Sequence, residues 1–175
     1  MILVVDNTID VVATDYAGNF KLPRFQNSRP SVDYYTSDLS IYAAVICDCM
    51  HNDHRVVLHD ERAMGKGADA VINIRFAYFL ARFQEYNNVQ KPFPKHLFLI
   101  MDNCCGQNKS QDCMMFYCML SVLFYDTVTI FFFVSGHSHF IPDRVTSWIK
   151  TALKKAVQGV CLKTCYFSNY SRCIL

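Results

Sequence analysis

The chain of 175 residues contains no internal repeat, no collagen-like run and no low-complexity tract, which excludes solenoid, fibrous and linker-type architectures. It also lacks an excess of charge of either sign. Lys and Arg number 17 against 15 Asp and Glu, a net charge of +2, so a histone-like or broadly polybasic binder is excluded and any nucleic-acid contact must come from a local patch. Residues 1–14 carry Asp6 and Asp10 where a secretory leader is basic and then apolar, so no such leader is expected there. Paired C-x2-C spacings are missing as well: Cys47-x-Cys49 and Cys161-x3-Cys165 do not make a zinc framework. The nine cysteines, an odd number lying mostly in apolar stretches, are expected to be free thiols in a reducing, intracellular setting. With 52% hydrophobic residues there is ample apolar surface for one compact domain.

Residues 113–134, CMMFYCMLSVLFYDTVTIFFFV, are long enough to cross a bilayer. Asp126 inside the window argues against that. Before it the run is rich in Met, Leu and aromatics; after it, TVTIFFFV is β-branched and aromatic. The pattern predicts a buried helix, a tight turn and a strand, and no membrane partner.

The remaining elements follow from the same kind of patterning. Residues 10–16, DVVATDY, read as a strand ending at a Gly18-Asn19 turn, and 21–37 as a proline-containing loop. Strands are expected at 38–47 and 55–60, joined by a hairpin loop at HNDH (51–54). A helix over 69–86 follows, stopped by Lys91-Pro92-Phe93-Pro94. HLFLIMD at 96–102 has five successive apolar residues, the signature of a strand covered on both faces. Helix 111–124, capped by Ser110 or Asn108, strand 128–134 and an amphipathic helix 142–156 complete the order β-β-β-α-β-α-β-α. That order calls for an α/β fold, a mixed five-stranded sheet with helices on its faces. The domain is expected to span 10–156, with 157–175 a basic, cysteine-containing tail outside it.

Most of the thirteen Asp and two Glu should be solvated. Asp15 at a strand end, Asp102 after the most apolar strand and Asp143 at the start of the last helix are placed differently. Open α/β sheets bind ligands beyond the carboxyl ends of their strands. Acids gathered there repel one another unless protonated or bridged. A hard divalent ion, Mg²⁺ (or Mn²⁺), removes that conflict, and a pair of such ions clamps both oxygens of a phosphodiester displacement. Taken singly, each of these acids is explained as well by a turn or a helix cap.

Four blocks, DYAGNFKLP (15–23), GKGAD (65–69), DNCCGQNKS (102–110) and GHSHFIPDR (136–144), together with the order of elements and acids, resemble the ribonuclease H-like nuclease superfamily. That superfamily includes the catalytic cores of DDE-type transposases and retroviral integrases. More narrowly, the blocks resemble an uncharacterised, transposon-associated eukaryotic domain family. Its second block usually reads Asp-Asn-Cys-Gly-Gly-Gln-Asn-Lys, and its third reads Gly-His-Thr followed by Asp-Arg. The resemblance implies a ribonuclease H-like fold with Asp15 and Asp102 as metal ligands and Asp143 in the place of the third acid. Glu61 would stand for the helix glutamate of ribonuclease H proper. The implied activity is divalent-metal-dependent cleavage of phosphodiesters or strand transfer on nucleic acid, DNA favoured over RNA. It would act inside the cell, and in the nucleus if on DNA.

Secondary groups accompany the acids. His137, with His139 as its competitor, is placed to assist proton transfer to the leaving oxygen. Lys66, Gln107, Asn108 and Lys109 lie in loops where a phosphate oxygen could be received; the GxxxxGK[ST] pattern of a Walker loop is absent. Arg144 and Lys150, with Lys154, Lys155, Lys163 and Arg172, give residues 140–175 a basic patch opposed by Asp143 alone. Trp148 on the same helix reads as a packing residue. The competing reading is a truncated or domesticated remnant that binds nucleic acid or protein without catalysis. A homo-oligomer is compatible with either.

Overall fold

The structure, a computed structural model, describes residues 8–22, 37–134, 140–157 and 173–174. Strands β1 (Ile9–Leu22), β2 (Leu39–Asp48) and β3 (Asp53–Asp60) come first, then helix α1 (Ala68–Asn88), strand β4 (His96–Met101) and a single turn α2 (Cys105–Asn108). Helix α3 (Gln111–Leu123), strand β5 (Thr127–Phe132), helix α4 (Ile141–Val157) and a short strand β6 (Cys173–Ile174) follow. The sheet runs β5-β4-β1-β2-β3-β6. β1, β2 and β3 are joined antiparallel, whereas β4 lies parallel to β1 and β5 parallel to β4. The fold is therefore α/β, a mixed sheet with helices. The sixth strand comes from the tail set outside the domain: Cys173 and Ile174 pair in parallel with Val56 and Val57 of β3. The rest of that tail lies outside the described residues.

Each face of the sheet has its own core. On one, Val12, Ala44, Ile46, Leu97, Leu99 and Met101 meet Ile74, Tyr78 and Phe79 of α1 and Phe116, Tyr117 and Leu120 of α3. On the other, Ala13, Ala17, Ala43, Val45 and Val56 meet Val145 and Ile149 of α4. Small residues on this second face bring α4 close to β1 and β2.

The expected turn at Gly18-Asn19 is instead an irregularity inside a long strand. The β1–β2 register shifts between Ala17 and Phe20, and pairing continues to Leu22. The expected hairpin loop occupies residues 49–52, so Asp53 and His54 already belong to β3; Asn52 turns the chain with a φ of 53°. α1 ends where Gln90 takes a φ of 53°, just ahead of Lys91-Pro92. Ser110 caps α3, its Oγ accepting from the Cys113 N–H at 3.2 Å. β4 departs from the expectation of burial on both faces. Leu97, Leu99 and Met101 are sealed, but Phe98 is only half-buried, stacked on the exposed Phe131 with ring centres 5.8 Å apart. The cause is that α4 covers β1 and β2 and stops short of the β4–β5 side.

The apolar window 113–134 divides into α3 and β5, with exposed Asp126 between them. No helix among the described residues is long and apolar enough to cross a membrane. Cys47, Cys49, Cys104, Cys105, Cys113 and Cys118 are free.

Candidate functional site

β1 and β4 run parallel with Thr14 beside Met101. One further step along that register puts Asp15 beside Asp102. Side chains alternate along a strand, so Thr14 faces α1 while Asp15 lies on the α4 face with its partner Val45. Asp143, in the first turn of α4, starts the helix that covers this face. Asp102 and Asp143 both act on Asp15. Burial raises the Asp15 carboxyl to about 6, and the negative fields of Asp102 and of Asp143 push it in the same direction. The Tyr16 N–H and Lys66 oppose the shift. All three acids are half-buried. Asp143 also fulfils the capping role that its position suggests, since Oδ2 accepts from the Phe140 N–H at 3.0 Å.

The loops around the acids are tied together. The Lys66 ammonium donates to the Ala17 carbonyl at 3.1 Å and stands over the rings of Tyr42 and Tyr16, 5.0 and 5.6 Å from their centres. Partial burial lowers its pKa, and Asp15 works against that shift. Gln107 Nε2 donates to the Lys66 carbonyl at 3.1 Å, joining the GKGAD loop to the loop after β4. Asn108 is buried, and its Nδ2 donates to Asp102 Oδ1. Its Oδ1 accepts from Arg75 Nη2 at 2.9 Å. The expectation that Asn108 offers its amide outward to a phosphate is therefore corrected: a buried guanidinium needs that oxygen, which turns the side chain inward.

Arg75 is the functional neighbour that sequence reasoning missed. It is 5% exposed, and its other partners are Thr14 Oγ1, at 2.6 Å, and Tyr117 Oη. Its signal was present in the chain: a charged residue set among Val71, Ile74, Tyr78 and Phe79 on the apolar face of a helix has to be explained by a partner.

The remaining candidates are exposed or lie outside the described residues. Glu61 is exposed beyond β3 and interacts with Arg62, while the charged groups that act on Asp15 are Asp102, Asp143 and Lys66. Lys109 is exposed, its ammonium 4.5 Å from the centre of the Phe132 ring. Arg144 and Lys150 are exposed on α4. Trp148 on the same helix is 43% exposed, with the His54 ring 6.4 Å away, so it is a packing residue on one side only. His137 and His139 lie outside the described residues, as do the side chains of Lys154, Lys155, Lys163 and Arg172.

A second set, two acids and a histidine, gathers near the start of β1. Ligand atoms of Asp10, Asp48 and His51 lie within 4.8 Å of one another, a closeness that Asp15, Asp102 and Asp143 do not reach as a set. The centre of that second set is already taken by a cation. Arg82 Nη2 donates to Asp10 Oδ1 at 2.7 Å, and Nη1 donates to Asp48 Oδ2. The Tyr125 hydroxyl donates to Asp10 Oδ2 at 2.8 Å. A structural ion lock, rather than a metal site, accounts for every one of these contacts.

A mixed-sheet α/β domain with acids placed where its parallel pairing stops is thus the class that fold and site define. Residues 46–160 match the model of a family described as a domain of unknown function (DUF7869), and the chain belongs to that family. Asp102, Asp143, Lys66, Arg75 and Asn108 fall within the matched span, and Asp15 precedes it. Neither a curated protein nor a solved structure matches the chain.

Proposed function

We propose that this domain is ribonuclease H-like and cleaves phosphodiesters, or transfers strands, in a divalent-metal-dependent reaction on nucleic acid. The observation that carries the reading is the placement of the acids: Asp15 follows the parallel β1–β4 ladder at the position beside Asp102, and Asp143 opens the helix that covers the same face. Half-buried carboxylates that repel one another create a demand for positive charge. Their donors are all oxygens, which suits Mg²⁺ or Mn²⁺. The order of strands, helices and acids that underlies the resemblance to transposase and integrase cores supports the same reading.

Bound between these carboxylates, a divalent ion would supply Lewis acidity and a lowered pKa for attacking water. The chain's own residues prepare the place. Asp15 and Asp102 come from adjacent parallel strands, so their separation is fixed by backbone hydrogen bonds. Asp143 is held by the cap of α4. Lys66 offers a cation beside Asp15, at the position where a phosphate oxygen of the substrate would approach. Exposed Arg144 and Lys150 extend positive charge along α4 for a nucleic-acid backbone. DNA is the favoured substrate, which would place the protein in the nucleus.

The test is cleavage of labelled DNA and RNA with Mg²⁺ or Mn²⁺, comparing wild type with Asp102→Asn. The substitution is expected to lower the rate about a hundredfold or more, since it removes a ligand outright. Equal rates in the two proteins would remove the site. Retention of either nucleic acid without cleavage would favour the non-catalytic binding module.

A further inference from the structure

Arg75 presents a problem of charge that the proposed reaction does not by itself explain. A buried guanidinium normally lies against a carboxylate, because the cost of removing the ion from water is otherwise unrecovered. Arg82, on the same helix, follows that rule with Asp10 and Asp48. Arg75 does not. Its three partners, Thr14, Tyr117 and Asn108, are neutral. The acid whose field reaches it is Asp102, which is joined to it through the Asn108 amide.

We infer that Arg75 is a positioning residue for Asp102, acting through the side-chain amide of Asn108. The direction of the chain of bonds is fixed by chemistry. A guanidinium can only donate and an ionised carboxylate can only accept. Asn108 must therefore turn its oxygen toward Arg75 and its NH₂ toward Asp102, and the reversed amide would face donor to donor and acceptor to acceptor. Asp102 Oδ1 is held by this amide, which leaves Oδ2 as the oxygen with which Asp102 meets a cation. The anchoring comes from the α1 side of the sheet, so it does not obstruct the α4 side where Asp15 and Asp143 stand. Thr14 Oγ1 fixes the same guanidinium to β1, one residue before Asp15. The positions of Asp15 and Asp102 are thus referred to a single buried ion.

This inference rests on the proposed metal site, and its test separates the two. In metal-free protein, the Asn108 side-chain amide is followed by ¹⁵N-resolved nuclear magnetic resonance. Arg75→Lys, which keeps the charge and loses the planar fork, is expected to release the amide and speed its exchange with water about tenfold. An amide unchanged by Arg75→Lys overturns the inference whatever the metal does. Mn²⁺ affinity is then measured by titration calorimetry for wild type, Arg75→Lys, Asn108→Leu and the double variant, each first checked for folding by circular dichroism. Each single change is expected to weaken binding about tenfold, within the range for groups that orient a metal ligand. The double variant is expected to be no weaker than either, because the residues act in series. Arg82→Lys serves as the matched buried arginine: it lowers stability and leaves Mn²⁺ affinity unchanged. Weakening that simply adds in the double variant, or that appears equally in Arg82→Lys, would leave Arg75 a structural residue only and overturn the inference. Wild type that fails to bind Mn²⁺ brings down the proposed function, and this inference with it.

Discussion

Asp15 stands at the meeting point of opposed demands. Its carboxyl is raised to about 6 by burial and by two neighbouring acids, so folding at neutral pH forces a charge into a place that resists it. A group whose folded pKa lies above its unfolded value favours the native state at low pH, and that contribution is lost as pH rises through the folded pKa. For Asp15 the loss falls between about 4 and 6. The metal-free Asp15→Asn protein should accordingly be more stable than wild type at pH 7.5, by about 1–3 kcal/mol, and no more stable near pH 4. Urea unfolding at the two pH values measures this difference. Under the proposed function the same substitution also removes Mn²⁺ binding, a trade of stability against activity.

Among the elements, α3 and β5 are the least protected. β5 is an edge of the sheet, and it presents Phe131 at 50% exposure, with no charged residue along TVTIFF. Met115 and Val122 on the outer side of α3 are 65% and 83% exposed. An uncharged edge strand beside an apolar helix surface is a site of unwanted pairing. Phe131→Lys is expected to raise solubility and suppress concentration-dependent association in light scattering. The melting temperature should shift by no more than about 2 °C, since the ring is half solvated already. How far each element was legible follows from its local chemistry. α3 and β5 could be separated in the sequence because residue classes change at Asp126. β1 was read too short, because Gly18-Asn19 has turn chemistry and only pairing with β2 makes it a bulge. The exposed side of β4 was illegible, since it depends on where α4 ends over the sheet. Asp102 was legible as an acid following a strand and Asp143 as one opening a helix, whereas Asp15, read as ending its strand, lies midway along β1 where the parallel pairing with β4 stops. The partners of Arg75, Thr14 and Tyr117, were not legible, because their association is set by the packing of α1 and α3 on β1.

Across the whole molecule, Arg82 draws four regions together. Asp10 comes from β1, Asp48 from the end of β2, Arg82 from α1 and Tyr125 from the connection between α3 and β5. Asp48 also accepts from the backbone N–H groups of Met50 and His51, at 2.9 and 3.0 Å. Burial alone would raise the Asp48 carboxyl, yet Arg82 and His51, the latter through its backbone N–H, hold it below the usual carboxylate value. Removing the cation leaves two sealed carboxylates facing each other. Arg82→Met should cost about 3–5 kcal/mol in chemical denaturation, far more than a change of similar size at exposed Arg62.

β1 therefore serves two sites: Asp10 near its start is clamped from one direction and Asp15, midway along it, is aimed in another, with a fixed number of residues between them. Because every added residue reverses which way a strand's side chains point, that stretch functions as a ruler. Evolution is free to lengthen the connection at 49–52, but a single insertion between Asp10 and Asp15 would exchange the roles of Thr14 and Asp15, turning the acid toward α1 and the hydroxyl toward α4.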